Sequence, residues 1–167
     1  PGRGRSGVGY LKLIDFDRVD VSNLGRQAYG LEQLGCLKTE AWEGIIRGVN
    51  PYLSIKISSL HLTEVNMADE LRDWPIIIEA FDEPRAKAAL VETALSRLPE
   101  TRIICASGLA GLGRAGLIGS RRISDRLYLC GDEISEAERG RGLLAPRVMV
   151  GAGHQANLAL RLLAGLE

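Results

Sequence analysis

The chain has 167 residues, 46% apolar and 25% charged, with 21 Lys plus Arg against 21 Asp plus Glu and a formal net charge of zero. That length favours one domain spanning 1–167, and that apolar content suffices for a core and excludes a disordered chain. The charge balance argues against a dedicated nucleic-acid binder or membrane-surface protein, which carries a basic excess, and no apolar run approaches the roughly 18 to 20 residues of a membrane span.

Tyr10 to Ile14 (YLKLI) reads as a short strand ending in the acidic turn Asp15-Phe16-Asp17. From about Leu34 to Val49, Leu37, Ala41, Ile45 and Val49 recur at helical spacing, and Asn50-Pro51 stops that helix. Leu53 to Leu60 alternates as a strand, and Thr63 starts a helix to about Arg72, capped by its hydroxyl. Pro75 to Ala80 (PIIIEA) and Arg102 to Ala106 (RIICA) read as buried strands. Between them Pro84 to Leu98 is helical, with Ala88, Val91, Leu95 and Leu98 on one face. Gly108 to Gly119 reads as loop plus a short strand, Leu127 to Cys130 as a further strand, and Pro146 to Leu163 as a last helix.

Strands alternating with helices predict an α/β fold, a Rossmann-like, mostly parallel sheet with helices on both faces. Ligands of such folds sit at the carboxyl ends of strands, which directs attention to Asp15, Asp17, Asp82 and Ser107. Residues 1–9 are expected to be flexible. They carry Arg3 and Arg5 without a following apolar stretch of signal-peptide type, so the expected compartment is the cytoplasm. Cys36, Cys105 and Cys130 are far apart and form no CxxC pair, which predicts reduced thiols and no zinc.

Several residues suit nucleotide chemistry, each with a plainer alternative. Asp15 is placed to accept hydrogen bonds from ribose hydroxyls, or simply forms a solvated turn. In the following loop, Ser22-Asn23-Leu24-Gly25-Arg26-Gln27, Asn23 offers an amide and Arg26 a planar fork suited to phosphate oxygens. Lys38, one of four lysines, is a compact charge for a terminal phosphate or a solvated side chain. Asp82, after the apolar strand, is either a Mg2+ ligand or the cap of the next helix. Cys130 is a reactive thiol or a small buried apolar group. His154 is a ligand or base, or a packed helix residue. Gly7-Val8-Gly9 precedes a strand and Gly111-Leu112-Gly113 opens no clear helix, so neither fits a dinucleotide fingerprint.

The order of these segments is more specific than any of them alone. Asp15-Phe16-Asp17, Ser22 to Gln27, Gly35-Cys36-Leu37-Lys38, Asn50-Pro51 and Glu79-Ala80-Phe81-Asp82 resemble, in order, the DxD, SNLxRQ, GxxK, NP and strand-end Asp pattern of the ubiquitin-activating-enzyme (ThiF/MoeB/HesA) superfamily. Ala106 to Gly111, Leu127 to Asp132, Ala145-Pro146-Arg147 and Gly153 to Asn157 look like the shorter, zinc-less ThiF-type adenylyltransferases of the thiamine-pathway sulfur carrier. The resemblance implies ATP and Mg2+ as cofactors, with Asp15 and the neighbouring Asp17 at the ribose end. It places Asn23, Arg26 and Gln27 at the triphosphate, Lys38 on phosphate charge and Asp82 on the metal. It implies adenylation of the C-terminal glycine of a small ubiquitin-like carrier ending in Gly-Gly, a homodimer, and neither membrane nor nucleic acid as partner.

Relatives carry a Gly-rich loop upstream of the segment matching Gly7-Val8-Gly9, and nothing in this sequence corresponds to it. The chain therefore reads as N-terminally truncated relative to the family, with a central strand missing and apolar surface exposed. A catalytically impaired carrier-binding module, adenylation of another carrier such as the molybdopterin one, of a small molecule or of tRNA, and an oxidoreductase fragment are the alternatives. The last leaves Asn23, Arg26 and Lys38 unexplained.

Overall fold

The computed structural model describes residues 8–136 and 142–167. Gly7 and the rest of 1–7, and with them most of the segment expected to be flexible, lie outside the described residues. The chain divides into two compact units, Pro1–Leu62 and Thr63–Glu167.

In the first unit β1 (Tyr10–Ile14) and β2 (Ser54–Ser58) pair in parallel, from Tyr10 opposite Ser54 to Ile14 opposite Ser58. α1 (Lys38–Val49) joins them, because parallel neighbours need a crossover connection. Leu11, Leu53 and Ile46 form the core between strands and helix, with Leu13, Trp42 and Ile55 against it. Val19, Tyr29 and Ala41 make a second cluster, where Tyr29 meets Trp42 edge-on at a centroid distance of 5.8 Å. The helix expected from about Leu34 starts only at Lys38. Gly35 sits at φ 80°, the Val19 N–H donates to the Cys36 carbonyl at 2.9 Å, and Arg18 bridges Leu37. This tie fixes the turn at Gly35 and Cys36, leaves Leu37 extended and delivers Lys38 as the first helical residue.

In the second unit the strand order is β3 (Ile76–Ile78), β4 (Arg102–Ala106), β6 (Leu127–Gly131), β5 (Gly119–Arg122). The first three are parallel and β5 is antiparallel to β6. α4 (Ala145–Leu163) presents Leu158, Ala159 and Leu162 to Ile76, Ile78, Ile104, Tyr128 and Cys130. Ile77, Ile103 and Cys105 alternate to the other face, and α3 (Pro84–Arg97) lies against β4. The Arg126 guanidinium donates to the carbonyls of Ala94 (3.1 Å), Leu95 (2.6 Å) and Leu98 (2.7 Å), tying the residue before β6 to the C-terminal turn of α3. The helix expected from Thr63 is the shorter α2 (Met67–Leu71). The Thr63 hydroxyl does not cap it; the Thr63 carbonyl instead accepts from the N–H groups of Asn66 and Met67 in a preceding turn.

Ile104 is fully buried at the centre of this sheet. Ile104→Ala is expected to cost about 2–5 kcal/mol of unfolding free energy, measured by urea titration, because the cavity left between β4, β6 and α4 closes only partly.

Candidate nucleotide-binding residues

The first unit gathers its charges at the carboxyl end of β1. The Asp15 N–H still donates to the Ser58 carbonyl at 3.2 Å, so Asp15 stands where the ladder ends. Its Oδ1 accepts the Asp17 N–H at 2.9 Å, which folds the acidic turn back on itself. The Asp17 carbonyl takes the Lys38 N–H at 2.9 Å, and Lys38 Nζ lies 2.7 Å from Asp17 Oδ2 and 3.9 Å from Asp15 Oδ2. The lysine side chain is 12% exposed, against 48% for Asp17 and 39% for Asp15. A nearly buried cation at the start of α1 is thus partnered by two carboxylates that reach solvent.

The loop after β1 is built by reciprocal capping. Asp20 Oδ1 accepts the Ser22 N–H and Asn23 Oδ1 accepts the Asp20 N–H, both at 2.9 Å, around the short 3-10 turn Val21–Asn23. The Ser22 amide holds the Asp20 carboxyl below its ordinary value. Asn23 is buried, and its carbonyl accepts from the N–H groups of Arg26 and Gln27. The Asn23 side-chain oxygen is therefore committed to shaping the loop. Arg26 is half-buried and donates from Nη1 to the Ser22 carbonyl at 2.7 Å, which holds the guanidinium along the loop. Gln27 keeps a buried Oε1 without a hydrogen-bond partner among the described residues.

The second unit carries Asp82, exposed after β3. The residue capping α3 is Glu83, without a side-chain cap bond, so the cap alternative for Asp82 does not hold. No group of three or more potential metal ligands occurs among the described residues. Two ion pairs here, Glu79–Lys87 and Asp132–Arg147, were not singled out by sequence reasoning. Glu79, 1% exposed, accepts from the Phe81 N–H at 2.6 Å, from the Ala106 N–H at 3.4 Å, and from Lys87 Nζ at 2.8 Å on both oxygens. Its charge sits at the carboxyl ends of β3 and β4 and fixes the turn that leads to Asp82.

Arg147, 3% exposed in the first turn of α4, donates to Asp132 Oδ2 at 2.5 Å and to the carbonyls of Gly108 (3.1 Å) and Arg114 (3.2 Å). Gly108, at φ 76°, leaves no room for a Cβ beside Asp132. A buried carboxylate or guanidinium requires a partner far off in sequence, and a single sequence offers only a lone charge in an apolar context as its signal. Lys87, on an otherwise apolar helix stretch, was that signal for Glu79.

The Ser135 hydroxyl, followed by backbone N–H groups and Arg147, holds the Asp132 carboxyl well below the usual range. A carboxyl depressed on folding contributes stability above its unfolded value near 4, and that contribution is lost as pH falls through the folded one. Asp132→Asn is expected to lower the melting temperature at pH 7, with the gap to the parent closing progressively below about pH 4 in a thermal series.

Cys130 is fully buried, which raises its pKa, and it takes the packed apolar alternative. Burial, followed by the Glu79 charge, pushes the Cys105 thiol up to about 12. Ser107 lies at the end of β4, its N–H donating to the Cys130 carbonyl. His154 Nδ1 shares a 3.0 Å hydrogen bond with the Ser120 hydroxyl.

These parallel strands, crossover helices and charged strand ends define a Rossmann-like α/β protein. The model of the ThiF family matches residues 4–167, and the chain belongs to that family. It is 27% identical over 170 residues to the adenylyltransferase and sulfurtransferase UBA4 of Kluyveromyces lactis, covering 96% of this chain and 37% of the relative. It is 32% identical over 109 residues to the tRNA threonylcarbamoyladenosine dehydratase of Haemophilus influenzae, covering 64% of this chain and 41% of that protein. The chain thus spans well under half the length of these curated relatives. Among solved structures, the E. coli tRNA N6-threonylcarbamoyladenosine dehydratase in complex with ATP superposes with a TM-score of 0.79 at 23% identity, over 98% of this chain and 81% of that one. E. coli MccB with ATP gives 0.72 at 18% identity, over 98% of this chain and 52% of that one. These two likenesses establish the fold.

Proposed function

We propose that this chain is the nucleotide-binding part of an ATP-dependent adenylyltransferase acting on the C-terminal glycine carboxylate of a small ubiquitin-like sulfur carrier. The observation that carries the reading is the cluster at the end of β1. Lys38 is held at 2.7 Å from Asp17 beside Asp15, with Arg26 on the next loop, in a chain of the ThiF family. The donor set fits ATP. Asp15 offers an acceptor for ribose hydroxyls, Arg26 and Lys38 offer cations for phosphate oxygens, and the orphan Gln27 oxygen offers a further acceptor.

Asp82 is the residue for Mg2+, being exposed at a strand's end as a cation with few protein carboxylates requires. The ion would neutralise phosphate charge. In the reaction the carrier carboxylate attacks the α-phosphorus, the bond to the bridging oxygen breaks, and pyrophosphate leaves. The nucleophile is already ionised, so no base is needed, and Arg26 and Lys38 lower the repulsion between two anions as the bond forms. The carrier is of the thiamine pathway on this reading, and the protein works as a cytoplasmic homodimer.

A second reading is favoured by the higher identity, 32%, to the tRNA threonylcarbamoyladenosine dehydratase of H. influenzae. In that reading the carboxylate belongs to a modified tRNA nucleoside. ATP–pyrophosphate exchange separates the two. Exchange stimulated by a carrier ending in Gly-Gly, and lost in Asp82→Ala, supports the first. Stimulation by tRNA alone supports the second, and exchange with neither removes both.

A further inference from the structure

Glu79 ends the apolar run Ile76-Ile77-Ile78 with a fully buried side chain. The hydrogen bonds between β3 and β4 begin with the Arg102 N–H on the Pro75 carbonyl, and a parallel ladder with a period of two would bring the Ala106 N–H to the Glu79 carbonyl. Instead the Glu79 carbonyl accepts from Gln155 Nε2 at 3.1 Å, and the Ala106 N–H turns to Glu79 Oε2 at 3.4 Å. The two strands part at this level, with the carboxylate bridging them. Its Oε1 takes the Phe81 N–H at 2.6 Å, one residue before Asp82. Lys87 Nζ lies 2.8 Å from both oxygens and donates to the Ala106 carbonyl at 3.3 Å, so the pair holds both backbone groups of the last residue of β4. Stability is a poor account of this pair. Lys87 stands in the first turn of α3, at the positive end of the helix dipole, where a cation is disfavoured. A buried ion pair also adds little over apolar residues of the same volume. What the pair supplies is the geometry of two strand ends.

We infer that Glu79, neutralised by Lys87, is a positioning residue that sets the turn presenting Asp82 to the metal ion of the bound nucleotide. The inference rests on the proposed ATP reading, in which Asp82 is the residue for Mg2+. A cation that demands near-octahedral geometry and takes few protein carboxylates needs each of them closely placed. Asp82 is exposed, so the turn beneath it, rather than packing around it, decides where its oxygens stand. Glu79 itself touches neither metal nor nucleotide, because its oxygens are taken by the Phe81 and Ala106 N–H groups and by the Lys87 ammonium.

The test is calorimetric titration of ATP, once in EDTA and once in excess Mg2+, into the parent chain, Glu79→Gln, Lys87→Gln, Lys87→Arg and Asp82→Ala, with melting temperatures measured alongside. Glutamine keeps the shape of Glu79 and one acceptor oxygen, and cannot serve both N–H groups and the ammonium. The expected result is a gain in ATP affinity on adding Mg2+ to the parent, and loss of that gain in Asp82→Ala. Glu79→Gln and Lys87→Gln should bind ATP about tenfold more weakly in Mg2+, the usual effect of removing a partner that orients a metal ligand. Their binding in EDTA should stay within about twofold of the parent, and Lys87→Arg should keep the gain. A merely structural pair would weaken both titrations alike, in step with the melting temperature. That outcome overturns the inference and leaves the ATP reading standing, as does binding in Mg2+ within twofold of the parent in Glu79→Gln. If Glu79→Gln does not fold, Lys87→Gln decides by the same two outcomes, since the Lys87 side chain is 30% exposed and its loss is milder. A full Mg2+ gain in Asp82→Ala, or no ATP binding by the folded parent, overturns the inference together with the reading beneath it.

Discussion

Arg147→Ala is expected to destabilise the Thr63–Glu167 unit by about 3–5 kcal/mol, because it leaves Asp132 charged and enclosed without its guanidinium partner. The side chains of this pair are 4% and 6% exposed, so water cannot replace the lost partner. The same guanidinium donates to the Gly108 and Arg114 carbonyls, and one substitution therefore unties the loop after β4 and the loop after β6 from the start of α4. Arg147→Lys should recover only part of the loss, since an ammonium is a point charge and cannot span the acceptors that the fork reaches. Urea unfolding of the two variants, of Asp132→Ala and of Asp132→Ala/Arg147→Ala checks the account. The double variant should lose clearly less than the sum of its single changes, by about 1 kcal/mol or more. Strict additivity would mean that the two groups act separately.

Arg26→Ala is expected to lower carrier-dependent ATP–pyrophosphate exchange by about 10²–10³-fold, the usual effect of deleting one preorganised donor to a developing oxyanion. The fold should survive, because the guanidinium is half-buried and its one described bond goes to the nearby Ser22 carbonyl. Lys38→Ala makes an informative contrast. Its removal leaves Asp15 and Asp17 facing each other without the cation that sits 3.9 and 2.7 Å away, so the turn should loosen as well as lose phosphate affinity. A large fall in exchange at unchanged melting temperature in Arg26→Ala supports a role at the phosphates. A fall matched by a fall in melting temperature would move Arg26 to the loop's framework instead.

Asn23 shows how one residue type reads two ways. An amide in a loop beside an arginine suggests a phosphate contact. In the folded chain its oxygen accepts the Asp20 N–H and its carbonyl anchors the next turn, so its first task is to shape the loop that carries Arg26. For Asp82 the structure removes only the cap alternative. Glu83 takes the cap position, which leaves Asp82 exposed at the strand's end.

By itself the sequence determined the α/β class, the order of strands and helices and the acidic turn after β1. Each of these depends on local periodicity, on Asn50-Pro51 or on a short motif. It also carried the family, through the ordered segments from Asp15 to Asp82. Tertiary structure alone decided that α1 begins at Lys38 rather than near Leu34, because the tie is a pairing of residues 18 and 19 with 36 and 37. It alone decided the antiparallel edge strand β5, the Glu79–Lys87 and Asp132–Arg147 pairs, and the Phe16–His61 ring contact. The physical reason is common to all four. Register, buried charge pairs and ring contacts join residues far apart along the chain, and each is fixed by a desolvation or packing cost that exists only once the partner is in place.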